Sequence, residues 1–308
     1  MPRTVALHPG ALGDVLLAVP ALRGLRADAP DNELVLAAQP RIAALLASLG
    51  VVDRDVAFDA LGLESLFTET DDVSERVRGL LAGARVVSWF GAGDATFARR
   101  LRALVPDAVI APSAPAHEAV VWRHLVNSAG ASLGPGDALR DPIAAPATML
   151  DAGRRALAAA GWKGERRLVM IHPGAGGTTK RWPPARFAAI AERLVHDRGV
   201  DVVVHAGPAD ADAVVALRSA LGVPAHVLVD APLATLAGAL GHVALWIGND
   251  SGVTHLAASL GVPTVVLFVA GNVRWMPWAG QVRALVVGAD PGDAELDTVG
   301  DASRELLR

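Results

Sequence analysis

The chain contains no cysteine. Disulfides, thiolate catalysis and cysteine-ligated zinc are therefore excluded. It has no excess of positive charge: 28 Lys and Arg stand against 32 Asp and Glu, a net charge of -4. That balance argues against a nucleic-acid partner, leaving room only for local basic patches. Although mean hydropathy is positive at +0.37, no apolar run reaches the ~18 residues that a membrane span needs. Met1-Pro2-Arg3-Thr4 runs straight into an apolar strand with no signal-peptide pattern, so the expected location is cytoplasmic. Solenoid repeat periods and low-complexity segments are also lacking. What is present is globular material: 308 residues, 52% of them hydrophobic, suggest two domains with a core each.

Short apolar runs alternate with stretches of helical spacing throughout, which predicts an α/β protein with mostly parallel, doubly wound sheets. In the first half, strands are expected at 5–8, 34–38, 56–58, 84–90 and 109–111. Helices are expected at 15–26 (kinked by Pro20), 41–49, 74–81, 94–104 and 117–129. Gly134-Pro135-Gly136-Asp137 and Asp141-Pro142-Ile143-Ala144-Ala145-Pro146 read as a linker. The domains are therefore placed at 1–146 and 147–308, with the last helix expected to pack back on the first. In the second half, strands are expected at 168–172, 200–205, 226–229, 242–247, 264–268 and 284–287. The helices are 149–160, 187–197, 213–221, 233–240, 256–260 and 302–307.

Three loops carry the chemistry. After the first strand, Pro9-Gly10-Ala11-Leu12-Gly13-Asp14 leads into a helix. Gly10 and Gly13 permit a tight turn and close ligand approach. Asp14 reads either as a first-turn carboxylate favoured by the helix dipole or as a general base held on a rigid element. In the second half, Pro173-Gly174-Ala175-Gly176-Gly177-Thr178-Thr179-Lys180-Arg181-Trp182-Pro183 follows a strand. Its glycines, hydroxyls and Lys180 suit a phosphate, or else form a flexible turn with a solvated lysine. It lacks both the Walker A order and the Gly-x-Gly-x-x-Gly dinucleotide fingerprint. Last comes Gly248-Asn249-Asp250-Ser251-Gly252-Val253-Thr254-His255, between a buried strand and a small apolar helix. Asp250 or Ser251 can cap that helix, and the amides beside Gly252 can hold an anion.

Other features have bland readings beside sharper ones. Asp53-x-Asp55 and Asp210-x-Asp212 have the form of a metal motif, but Asp210 also reads as a helix cap. Arg99, Arg100 and Arg102, with Arg123 nearby, form either a solvated helix face or a site for an anionic acceptor or membrane surface.

Taken in order, the three loops resemble glycosyltransferase family 9, the bacterial heptosyltransferases that use ADP-heptose. The shared motifs are Pro-Gly-Ala-Leu-Gly-Asp with the following Leu-x-x-x-Pro-Ala-Leu, then His-Pro-Gly-x-x-x-x-x-Lys-x-Trp-Pro, then Gly-Asn-Asp-Ser-Gly-x-x-His. The resemblance implies a GT-B fold: two Rossmann-like domains facing a cleft, with the acceptor on the N-terminal side and the nucleotide-sugar on the C-terminal side. It makes Asp14 the general base of an inverting displacement. It places Thr178, Thr179, Lys180, Ser251, Gly252, Val253 and His255 at the donor diphosphate, Asp250 at the donor sugar, and the segment 229–236 near the adenine. Gly10, Gly13 and Gly174 would shape the loops.

By the same resemblance no metal and no cofactor is needed, since the ADP-sugar is a substrate. The partners would be that donor and a saccharide or glycolipid acceptor, with peripheral contact to the inner membrane left open. Two departures stand out. His8 occupies a position where members often carry Arg or Lys, some of them using it to hold an anionic Kdo acceptor. The acidic ribose contact of some members has only Asp210 as a counterpart. The alternatives are a nucleotide-sugar epimerase or hydrolase on the same fold, or a non-catalytic nucleotide-sugar-binding protein. A dehydrogenase is disfavoured by the missing fingerprint.

Overall fold

The computed structural model describes residues 2–69, 72–131, 138–269, 271–289 and 292–307. The chain divides into two compact units, Met1–Arg140 and Asp141–Arg308. Of the expected linker, Gly134-Pro135-Gly136-Asp137 lies outside the described residues. Its second part is fastened to the second unit: Ile143 N–H donates to the Ser259 carbonyl at 2.8 Å, and Pro142 fills the space beside Gly261.

The first unit runs β1 (Arg3–Leu7), α1 (Leu12–Leu17), α2 (Val19–Asp28), β2 (Glu33–Ala38), α3 (Pro40–Ser48), β3 (Arg54–Ala57), α4 (Glu75–Leu81), β4 (Arg85–Ser88), α5 (Ala95–Leu104), β5 (Val109–Ile110) and α6 (Val121–Ser128). The strands form one parallel sheet in the order β3-β2-β1-β4-β5. β1, β2 and β4 are short Val, Leu and Ala runs because both faces of the sheet are covered. Pro20 does not kink one helix as expected. The chain breaks at Ala18, and Pro20 sits in the first turn of α2, where its missing N–H costs nothing.

The second unit runs α7 (Ala147–Ala159), β6 (Leu168–His172), α8 (Pro184–Arg198), β7 (Asp201–Ala206), α9 (Ala211–Ala220), β8 (His226–Val229), α10 (Leu233–Leu240), β9 (Val243–Asn249), α11 (Gly252–Ser259), β10 (Thr264–Val269), β11 (Val282–Val287) and α12 (Asp293–Leu306). Its parallel sheet has the order β11-β10-β9-β6-β7-β8. α7 and α10 meet backbone to backbone: a Cβ on Gly153 would lie 2.0 Å from Ala239 N, and one on Gly238 would lie 1.7 Å from Met149 O. The last helix, expected only at 302–307, is 14 residues long. Leu296, Val299, Ala302 and Ser303 face inward at helical spacing, while its acids pair with α8. Arg186 reaches Asp293 at 3.2 Å and Arg193 reaches Asp297 at 2.7 Å. α12 packs on α8 and on β9, β10 and β11 of its own unit.

In both units the first strand lies between the second and the fourth. β1 is flanked by β2 and β4, and β6 by β7 and β9. The strand order reverses at those places, so the loops after β1 and β4, and after β6 and β9, diverge and leave a crevice at the carboxyl ends. All three motif loops emerge there. Among the described residues no helix is long and apolar enough to cross a membrane.

Candidate active site

In the second unit, pairing between β6 and β9 ends at His172 opposite Gly248. β6 then turns away at Pro173, while β9 continues to Asn249, which still pairs with Leu267 of β10. The β6–α8 loop contains one tight turn, Thr178–Lys180, and Thr178, Thr179 and Lys180 are exposed. Buried Trp182 anchors the end of the loop, its indole N–H donating to Glu295 at 2.9 Å.

The third motif is shorter as a loop than expected. Gly252 to His255 form the first turn of α11, and only Asp250 and Ser251 lie between strand and helix. Of the two expected caps, Ser251 is the one used: its Oγ accepts from Thr254 N–H at 3.3 Å. Thr254 Oγ donates to the Asn249 carbonyl at 2.7 Å and accepts from the Trp246 indole at 3.1 Å, fixing the turn from below. The helix ladder provides no acceptor for the N–H groups of Gly252 and Val253, its first two residues. Asp250 does not cap. Its two oxygens face Lys180 Nζ at 3.2 Å and His255 Nε2 at 3.4 Å. Burial pushes the Asp250 carboxyl up, but the hydrogen bond and charge of His255, with the contribution of Lys180, outweigh it and hold the group below the usual range. The turn therefore brings an ammonium, a carboxylate, a buried imidazole, two free-ended amides and a hydroxyl together. That set can accept an anion and a polyol side by side.

Beneath the loop lies a polar layer that sequence reasoning missed. His172 and His205 approach through their Nδ1 atoms at 3.1 Å, against the face of Trp246. A bond at that distance needs the proton on one Nδ1 only. Burial lowers His172 to about 4 and His205 to about 3. Asp210 is buried beside them, 3.9 Å from His172 Nε2. It does not cap α9 with its side chain. Instead it accepts from Gly207 N–H at 3.0 Å and crowds Gly174, where any Cβ would come within 2.0 Å of its Oδ1. Gly174 is required for that contact.

In the first unit, Asp14 is half-buried in the first turn of α1, and its Oδ2 accepts from Ala11 N–H at 3.0 Å. Gly13 precedes it in the same turn. His8 lies wholly inside, 5.7 Å from the Trp89 ring, and its Nδ1 accepts from Gly10 N–H at 3.2 Å. Burial lowers it to about 4. A neutral, enclosed imidazole supports the turn and cannot serve there as a cation for an anionic acceptor. Gly10 fits because a Cβ would sit 2.7 Å from His8 and 2.8 Å from Asp14.

At the rim of the second sheet, Val229 is 62% exposed, and Asp230 takes a left-handed conformation (φ 45°). Each metal-like acid pair has one member in an ion pair. Asp53 binds Arg26 and the Leu34 amide, and Asp212 binds Arg181. Among the described residues no group of three potential metal ligands occurs. In the arginine cluster, Arg99 pairs with Glu69 at 2.5 Å, while Arg123 lies over the Trp122 ring.

A family model described as glycosyltransferase family 9 (heptosyltransferase) matches residues 84–298, more than half of the chain. The chain is 33% identical over 138 residues to lipopolysaccharide heptosyltransferase 3 of Escherichia coli, a match covering 40% of this chain and 40% of that protein. It thus spans less than half the length of the curated relatives it matches. Whole-chain likeness comes from solved structures. A glycosyltransferase family 9 protein of Veillonella parvula has a TM-score of 0.74 at 20% identity, covering 99% of this chain and 97% of that one. The E. coli ADP-heptose lipopolysaccharide heptosyltransferase II has a TM-score of 0.74 at 19% identity, covering 99% and 98%. These likenesses show the GT-B type of fold, with its two Rossmann-like units. Since the family match runs from β4 through the second and third motif loops, the chain belongs to glycosyltransferase family 9.

Proposed function

We propose that the protein is an inverting, metal-independent glycosyltransferase. It moves a heptose or similar sugar from an ADP-activated donor to a hydroxyl of a saccharide or lipopolysaccharide-like acceptor. The observation that carries this reading is the Lys180–Asp250–His255 cluster beside the open first turn of α11, at the strand-order reversal of the second sheet. Family membership and the likeness to the lipopolysaccharide heptosyltransferase 3 of E. coli support it.

Lys180 neutralises Asp250 across 3.2 Å. An arriving diphosphate replaces Asp250 as the partner of Lys180, and takes hydrogen bonds from Ser251, Thr178, Thr179 and the amides of Gly252 and Val253. Asp250, released from the ammonium, accepts from a sugar hydroxyl. His255 keeps the Asp250 carboxylate oriented and lies within reach of the phosphates. Asp14 accepts the proton of the acceptor hydroxyl as its oxygen attacks the anomeric carbon. The bond from that carbon to the phosphate oxygen breaks, and its electron pair leaves with ADP. Fixed donors and a lysine stabilise the departing charge without a metal. No cofactor takes part. The site of action is the cytoplasm, with a glycolipid acceptor presented at the inner membrane.

The test is calorimetric titration with ADP, UDP, GDP and ADP-heptose, with and without EDTA, followed by turnover of Asp14→Asn. ADP should bind in preference, unaffected by EDTA. Asp14→Asn should bind ADP like the parent while turnover falls about 10²–10⁴-fold, the usual contribution of a general base. Normal turnover in that variant removes Asp14 from the role. Preference for UDP or GDP overturns the donor, and loss of turnover in EDTA overturns metal independence. Free sugar or epimer formed without an acceptor would establish the hydrolase or epimerase reading instead.

A further inference from the structure

Asn249 is fully buried at the end of β9, and every polar atom of its side chain is used. Its Oδ1 accepts from Trp182 N–H at 2.9 Å. Its Nδ2 donates to the Pro173 carbonyl at 2.9 Å and to the Gly174 carbonyl at 3.2 Å. A backbone N–H can only donate and a carbonyl can only accept, so the partners themselves fix which end of the amide is oxygen. Pro173, Gly174 and Trp182 are the two ends of the loop that carries Thr178, Thr179 and Lys180.

The need for this clamp follows from the sheet. Pairing of β6 with β9 stops at His172 opposite Gly248. The next residue on β6 is a proline, with no N–H to extend the ladder. The carbonyls of Pro173 and Gly174 then lie inside the protein with no strand neighbour, and the Asn249 amide takes the neighbour's place. Asn249 is itself held from two sides, by pairing with Leu267 and by the Thr254 hydroxyl on its carbonyl. A second tie between the loops is Lys180 to Asp250, whose lysine side chain is 47% exposed. With its lysine end half in solvent, that pair is open to screening by water and salt.

We infer that Asn249 is a positioning residue that locks the Gly-rich loop onto the α11 turn before donor binds, so that both halves of the diphosphate site move as one. This rests on the donor reading above. The amide touches no substrate; it acts through the loop.

The test uses the full chain with Asn249→Asp and Asn249→Leu. The first keeps shape and the acceptor for Trp182 but places an oxygen against two carbonyls. The second removes all three bonds. If the competent loop is then populated at about a tenth or less, the apparent Kd for ADP and the donor KM rise at least about tenfold. The kcat at saturating donor falls less, because bound donor restores the loop. In the folded variants, amide exchange at 175–182 should quicken at least about tenfold while β6 and β9 stay protected. Variants that fold and bind ADP within twofold of the parent overturn the inference. Should neither variant fold, exchange in the unmodified, nucleotide-free protein decides. A slowly exchanging Trp182 amide supports the lock, and one exchanging at the rate of an unstructured loop refutes it. If the parent binds neither ADP nor ADP-heptose, the donor reading fails, while the exchange result still judges the lock.

Discussion

Lowering the pH from 7.5 to 5 should destabilise the protein through three histidines. In the unfolded chain each takes up a proton near 6.5. In the folded protein burial holds His8 and His172 at about 4 and His205 at about 3. The folded values lie below the unfolded one, so the unfolded state binds more protons as pH falls. Stability is therefore complete above about 6.5 and is lost progressively on the way down to the folded values. At pH 5 the unfolded histidine is almost fully protonated and the folded one almost wholly neutral. The loss by then is about 2 kcal/mol for each, from 1.36 kcal/mol per pH unit over the 1.5 units below 6.5. One such loss falls on the first unit, through His8, and the pair falls on the second. For units of this size about 2 kcal/mol lowers Tm by about 4–8 °C, and the second unit should lose more. The window also isolates the cause: Asp250, held below the usual carboxylate range, contributes above its unfolded value and loses that contribution only below pH 4. Calorimetric scans at pH 7.5, 6 and 5 in constant salt read the effect. A Tm unchanged between 7.5 and 5 would refute the enclosed, neutral state of these rings.

Two further outcomes follow from the geometry. Lys180→Met removes the only ammonium of the β6–α8 loop and leaves Asp250 its His255 contact; on the proposed phosphate role ADP affinity should fall about 10–100-fold, the range for a lost charge-assisted hydrogen bond, and an unchanged calorimetric Kd would contradict that role. Gly238→Ala drives a methyl to within 1.7 Å of the Met149 carbonyl and should cost about 1–3 kcal/mol of stability, read as a lower denaturant midpoint; a neutral result would mean that α7 and α10 can separate freely.

The architecture was legible because buried parallel strands are unbroken runs of Val, Leu, Ile and Ala, and these alternate with helical spacing along the whole chain. Misread places have local causes. α12 hid behind its acids, since Asp293, Glu295, Asp297 and Asp301 mask the inward stripe of Leu296, Val299 and Ala302. The start of α11 looked like loop because a glycine, a valine and a threonine open it, and the deciding contact is the Ser251 cap on Thr254. Asp14, Lys180, Asp250 and Ser251 could be picked out by motif. The His172–His205–Asp210 layer could not: His172 is 33 residues from His205 and meets it only because β6 and β7 are neighbours. Asn249 stood in plain view inside the third motif, yet its task depends on three groups 67 to 76 residues away.

The contact of Gly153 with Gly238 has a consequence for local opening. With no side chain between the two backbones, neither helix can lift away without stripping the other of its closest neighbour. α7 and α10 should therefore open together, as one cooperative block formed from segments about eighty residues apart. α7 directly follows the tract where the chain enters the second unit, and α10 begins just after the strained Asp230 turn. An opening that starts at that rim should therefore expose α7 amides to exchange along with those of α10.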